Sequence, residues 1–165
     1  MKKKLLWAVS ILVAIFLGMQ VVPVNRDNPP VTGEIDAPAE VMAVLRESCY
    51  DCHSNETTWP WYSYVAPISW EVAEHVEEGR DELNFSTWQD LEPARQQRKI
   101  RHIWEEVDEA KMPLEDYLRF HADARLTPED VATLKAWTEA SAAAASDTAA
   151  PAAPTAVDDH DHSAH

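Results

Sequence analysis

Apolar residues recur along this chain in distinguishable patterns, and each predicts a different element. From Leu5 to Val22 they run almost without interruption, broken only by Ser10, Gly18 and Gln20. A helix over that run would be about 27 Å long at ~1.5 Å per residue, close to the ~30 Å hydrocarbon core of a bilayer. Residues 1–22 are therefore predicted to form a transmembrane anchor. Residues 23–35, with Pro23, Pro29, Pro30 and Gly33, hold too few apolar side chains to pack and too many prolines for a helix, so they read as an extended tether.

Between residues 36 and 140 the apolar positions recur with a helical period, and no alternating run predicts a strand. Val41, Val44 and Leu45 mark a helix opening near Pro38 and running toward Cys49. A second, beginning at Ser69, puts Trp70, Ala73, Val76 and Glu77 on one face. A third, from Pro93, carries the clearest amphipathic stripe, with Ile100, Ile103, Trp104 and Val107 at i, i+3, i+4 and i+7. A fourth is announced by its start: Thr127 as N-cap, Pro128 at the first helical position and Asp130 closing a capping box. Leu126 and Val131 are spaced as a hydrophobic staple, and Val131, Leu134 and Trp137 or Thr138 form the buried stripe. The region is long enough for one compact core, and the fold class predicted is all-α. Residues 141–165, of Ala, Pro, Thr and Asp with scattered histidine, have nothing large to bury and are predicted to be disordered.

Charge adds direction. Lys2, Lys3 and Lys4 precede the apolar run and an acidic chain follows it, which by the positive-inside rule places the start in the cytoplasm and the remainder on the periplasmic or extracytoplasmic side of a single-pass membrane protein. A cleaved signal peptide would have a shorter apolar region, of roughly 7 to 15 residues, ending in a small-x-small site; this run exits through Gly18, Met19 and Gln20, so an uncleaved anchor is the favoured reading. The net charge of −15, most of it between residues 34 and 140, excludes nucleic acid as a partner and would steer a basic protein to the surface.

The chain has two cysteines, and both stand in Cys49-Tyr50-Asp51-Cys52-His53. Cys-x-x-Cys-His is the spacing at which two thiols bond to a haem's vinyl groups while the histidine ligates its iron. A thioredoxin-like pair would follow a strand in a βαβ pattern, and no such strand precedes Cys49. A structural zinc site needs a fourth ligand that no second cysteine pair offers, and a disulfide across two residues would remove little unfolded-state entropy. One covalently attached haem c is the expected cofactor, held by Cys49 and Cys52 with His53 as proximal iron ligand.

Met42, His75, His102, Met112 and His121 are the side chains able to face the other side of the iron. Met112, in a predicted loop and followed by Pro113, is the first choice, because a thioether raises the potential of the iron as an electron carrier requires. His75, His102 and His121 stay open as alternatives; Met42 lies on the incoming helix, on the wrong side. Trp59, Trp61, Trp70, Trp88, Trp104 and Trp137 suit either a wall against the macrocycle or an ordinary core. In the tail, Asp158, Asp159, His160, Asp161, His162 and His165 could bind a divalent ion weakly, a solvated terminus being the simpler reading.

In the order helix, Cys-x-x-Cys-His, helices, Met-Pro loop and last helix, the chain resembles a class I cytochrome c. The stretch from Cys49 to Thr57, with Trp59-Pro60-Trp61-Tyr62, Pro67-Ile68-Ser69-Trp70, His75-Val76, Gly79-Arg80, Asn84-Phe85-Ser86, Met112-Pro113-Leu114, Tyr117 and His121, is similar to the bacterial haem-binding domain family over residues 36–140. Where that family tends to read His-Pro-Glu-Ala, this chain has His121-Ala122-Asp123-Ala124, a departure at Ala122 and Asp123 that touches no proposed ligand. The resemblance implies an exported haem-binding domain without a defined reaction. The function expected is a membrane-anchored, mono-haem carrier of single electrons between redox partners. The alternative is a haem sensor or peroxidase-like enzyme with an open sixth coordination site.

Overall fold

Proline and capping residues set most of the helix boundaries in the computed structural model, which describes residues 2–149. Pro38 precedes helix α2 (Ala39–Ser48), Pro93 opens α5 (Pro93–Asp108) at its first turn, and Pro128 opens α7 (Pro128–Ala149). The remaining helices are α1 (Lys2–Met19), α3 (Tyr50–His53), α4 (Ile68–Glu82) and α6 (Glu115–Leu118), with single 3₁₀ turns at Trp61–Tyr64, Trp88–Asp90 and Ala122–Ala124. Among the described residues there is no strand, only an isolated bridge between Gly33 and Thr87. The all-α class holds.

The capping box at Thr127 forms as its sequence predicts. Asp130 N–H donates to Thr127 Oγ1 at 3.2 Å, and the Thr127 N–H and hydroxyl both reach Asp130 Oδ2, at 2.8 and 2.7 Å. Leu134, Trp137 and Thr138 are buried along α7, and α7 packs against α5 and α2. Ile100 and Ile103 from α5, Val41, Val44 and Leu45 from α2, and Ile35, Phe85 and Trp88 from the intervening segments complete one core. At ~1.5 to 3 kcal/mol per buried large apolar side chain, this cluster is the principal source of stability.

Four expectations change. The regular helix of the N-terminal run stops at Met19 rather than Val22, and Gln20, Val21 and Val22 follow in i→i−3 turns; among the described residues no helix is long and apolar enough to cross a membrane. Gln20 ends the helix because its side-chain amide has partners elsewhere, accepting from Ala66 N–H at 3.0 Å and donating to Ala66 O at 3.2 Å. The segment after it is extended but does not hang free. Asn28 Nδ2 donates to Thr57 O, Asn55 Nδ2 to Pro30 O, and Ile35 N–H to Phe85 O. On α4, Ser69, Val76 and Gly79 are the buried positions, while Trp70 and Glu77 face outward. Finally, α7 continues through 141–149, because its alanines are strong helix formers; the aspartates and histidines of 158–165 lie outside the described residues.

Candidate functional site

The five-residue motif folds as a single turn. Cys49 ends α2, its N–H bonded to Leu45 O, and its own carbonyl accepts from Cys52 N–H at 3.2 Å and His53 N–H at 2.9 Å. Residues at i, i+3 and i+4 share a helix face, so Cys49, Cys52 and His53 come to one side, and all three line one cavity of about 290 Å³. The two residues between the cysteines serve the scaffold, Asp51 while also lining the cavity. The Tyr50 ring stacks on Phe85 at 5.1 Å and its hydroxyl donates to Glu34 at 2.8 Å. Asp51 accepts from Thr58 N–H at 3.0 Å and from the Tyr117 hydroxyl at 2.9 Å. Ser54 stops the turn, its hydroxyl donating to Tyr50 O and accepting from Glu56 N–H.

His53 is held in one tautomer. Its Nδ1 lies 2.8 Å from Gly79 O and 3.1 Å from Leu83 O; carbonyls only accept, so Nδ1 carries the hydrogen and Nε2 keeps the lone pair. Burial holds the imidazole pKa below its ordinary value, despite the two carbonyls acting the other way. The ring is therefore neutral at physiological pH, the form that ligates a metal. Gly79 has a second role at the same place: a Cβ there would stand 2.7 Å from Cys52 O and 3.2 Å from Cys52 Cβ. Only a residue without a side chain lets α4 approach the motif this closely.

The thiols are the opposite of activated. Burial pushes the Cys49 pKa up to about 12, with Cys52 adding to it, and burial followed by the Asp51 charge pushes Cys52 up to about 11. A redox-active Cys-x-x-Cys lowers a thiol pKa, so this environment argues against a thiol-exchange site.

Met112 reaches the cavity through a helix-ending turn. Ala110 N–H bonds Val107 O and Lys111 N–H bonds Glu106 O, the paired bonds of a Schellman motif, with Ala110 in the left-handed region at φ 53° where glycine is usual. The reversal delivers Met112 and Pro113, joined by a cis peptide bond, to the wall of the cavity that the motif also lines. Of the candidate distal ligands, Met112 lines both cavities that His53 lines, the first and an adjoining one of about 220 Å³. His75 lines the first, and His102 the adjoining one, where it is exposed and paired with Glu105 and Glu106. His121 lines neither: its Nε2 bonds the Tyr62 hydroxyl at 2.7 Å and its ring stacks on Tyr117 at 4.2 Å, beside a third cavity of about 290 Å³. Met42 packs against the core.

A family model described as a haem-binding domain matches residues 14–140. The chain belongs to the haem-binding domain family. No curated protein and no solved structure matches it. The residues present fit a haem: two thiols on one face of a turn, an imidazole with its metal-ligating nitrogen freed, a thioether on a loop that lines the same cavity, and a trough formed by three cavities that share lining residues. For the haem-binding domain family the pocket wall here is not tryptophan. None of the six domain tryptophans lines these cavities; Trp88 and Trp137 belong to the core, Trp61 and Trp70 are exposed, and Tyr62, Phe85, Tyr117 and Phe120 supply the aromatic lining instead. Trp59 Nε1 is the one buried side-chain polar atom without a partner among the described residues. It sits between Thr58 and Pro60, which line the third cavity.

Proposed function

We propose that this haem-binding protein is a mono-haem c-type cytochrome that carries single electrons, anchored by α1 with its domain on the periplasmic or extracytoplasmic side. The observation that carries the reading is the convergence of Cys49, Cys52, His53 and Met112 on one cavity. Cys49 and Cys52 would hold the haem covalently, and His53 and Met112 would ligate its iron. When bound, the group supplies a one-electron Fe(III)/Fe(II) couple.

The protein's share is preorganisation. The carbonyls of Gly79 and Leu83 fix the His53 ring before any ligand arrives and raise its basicity. The Schellman turn holds Met112 on the cavity wall, and a thioether favours the ferrous state more than a second imidazole would. The acidic surface suits a basic redox partner. For α1, the apolar part of the helix with the turns to Val22 would lie in the bilayer, with the lysines reaching toward the polar boundary and the short span met by local thinning.

Optical spectra of the loaded protein, ferric and ferrous, with and without carbon monoxide, test the ligation in wild type and Met112→Ala. The expected result is a ferric sulfur-to-iron band and no carbon monoxide binding in the wild type, with the band lost and the gas bound in the variant. Ready binding of carbon monoxide by the wild type would replace the carrier with the sensor or peroxidase-like reading.

A further inference from the structure

The chain is 26% charged, yet residues 57–70, from Thr57 to Trp70, contain no charged residue at all. This run sits at the surface. Trp61 is 75% exposed, Tyr64 60%, Ile68 40% and Trp70 36%, and the Phe120 ring, also exposed, joins them through Tyr62 at 4.8 Å. The core does not use these side chains; Ile68 and Phe120 also border the third cavity of the haem trough, whereas Trp61, Tyr64 and Trp70 line none of its three cavities. Their composition, two tryptophans and a tyrosine around an isoleucine, is that of the aromatic belts that sit at membrane–water interfaces, where an amphipathic ring places an apolar body and a polar handle at the headgroup level.

The position of the patch agrees with its composition. Ala66, in the middle of the run, exchanges two hydrogen bonds with the side chain of Gln20, the first residue beyond α1. Arg26 ties the same place again, donating to Ser63 O at 2.7 Å while its guanidinium lies 4.5 Å from the centre of the Tyr64 ring. The exposed aromatics are therefore fastened beside the point where an apolar helix, with no buried residue of its own, ends. If that helix is in lipid, the patch is at the lipid surface.

We propose that Trp61, Tyr64, Ile68, Trp70 and Phe120 form a membrane-docking face that rests the haem domain on the bilayer surface in one fixed orientation. The inference builds on reading α1 as a lipid anchor. The occupant is the interfacial layer of a zwitterionic bilayer: the run from Thr57 to Trp70 carries no charge of its own, and an anionic bilayer would repel a chain of net charge −15.

The test uses the full haem-loaded chain, kept reduced, in nanodiscs of zwitterionic lipid with every tryptophan replaced by fluorotryptophan and each fluorine resonance assigned by a single Trp→Phe variant. A lipid carrying a nitroxide near its headgroup and a soluble gadolinium chelate are added in turn. The expected result is several-fold stronger relaxation by the lipid probe at Trp61 and Trp70 than at Trp104 and Trp137, with Trp61 shielded from the chelate despite its exposure in the isolated chain. Trp7, within α1, reports the anchor separately. Trp7 relaxed by a nitroxide placed in the acyl chains while Trp61 and Trp70 respond only to the chelate would overturn the docking face and leave the anchor standing; Trp7 unaffected by lipid probes would overturn both.

Discussion

Replacing Gly79 with alanine puts the packing of α4 against the haem motif to a quantitative test. The new methyl carbon would lie 2.7 Å from Cys52 O and 3.1 Å from Cys52 C, and these are backbone atoms that cannot rotate away. Restoring an ordinary contact of about 3.4 Å or more requires α4 to retreat by roughly 0.7 Å. The bond from His53 Nδ1 to Gly79 O, now 2.8 Å, would lengthen toward the limit of useful geometry at about 3.2 Å, leaving Leu83 O as the remaining acceptor. Overpacking of this kind costs about 1–3 kcal/mol and the weakened hydrogen bond about 1 kcal/mol. Against that, alanine in place of an interior helical glycine gains about 1 kcal/mol.

The net expectation is a loss of about 1–3 kcal/mol, read as a lower urea midpoint with unchanged slope by far-ultraviolet circular dichroism of the detergent-solubilised full chain. Gly18→Ala is the control, since a methyl there meets nothing within 4 Å; it should not lower the midpoint. A Gly79→Ala midpoint at or above wild type would show that helix propensity outweighs the contact, and the account of why α4 needs glycine here would be wrong.

Ala110→Gly should stabilise the chain by about 1 kcal/mol, because a non-glycine residue in the left-handed region costs ~1–2 kcal/mol and the added flexibility of glycine takes back part of it; a lowered urea midpoint would contradict the strain at φ 53°. Tyr117→Phe removes the donor to Asp51 Oδ2 while Thr58 N–H stays in place, and a loss of about 1–2 kcal/mol is expected for a part-buried hydrogen bond to a carboxylate, with an unaltered midpoint as the contrary result. His53 also makes stability depend on pH in the haem-free chain. Its folded pKa is held below the ordinary value near 6.5, so the unfolded chain binds the proton more readily and the contribution, complete above that value, is lost as pH falls through it. Urea midpoints measured between about pH 7 and pH 5 should drop in wild type more than in His53→Leu; parallel profiles would remove His53 as the cause.

The helices and the motif were legible because their signals are local. A capping box is four consecutive residues, an amphipathic stripe is a spacing, and Cys-x-x-Cys-His is one turn that brings its own three functional groups to one face. Contacts between distant segments were not legible, since nothing in the neighbourhood of Gly79 announces that Cys52 lies against it, and nothing near Leu83 announces that its carbonyl meets His53. Periodicity misplaced Trp70 for a related reason: the buried face of α4 is set by Ser69, Val76 and Gly79, small residues that allow close approach and carry little hydrophobic signal. Composition left the tryptophans open between a cofactor wall and an ordinary core; Trp88 and Trp137 are core, tyrosine and phenylalanine line the trough, and the two most exposed domain tryptophans stand beside the end of α1.

The segment between α1 and α2 has a structural role that its composition concealed. Its prolines keep it from forming a helix, and its backbone groups must then find partners elsewhere. Those partners are on the residues just after the haem motif and on the segment after α4: Asn55 Nδ2 donates to Pro30 O, Thr32 N–H and Gly33 N–H both reach Ser86 O, and the Ser86 hydroxyl accepts from Asn55 N–H. Arg80 closes the arrangement from α4, one residue beyond Gly79. Its guanidinium donates to Ser54 O, Asp27 O, Asn28 Oδ1 and Thr57 Oγ1, all between 2.7 and 2.9 Å, so a single planar fork joins the tether, the end of the motif and the helix that orients His53. A flexible linker would let the domain sample many orientations relative to α1. This one, clasped by Arg80 and by the Gln20–Ala66 pair, couples the orientation of the haem motif to that of α1, so a redox partner of an anchored protein would have to come to a fixed face rather than wait for the domain to turn.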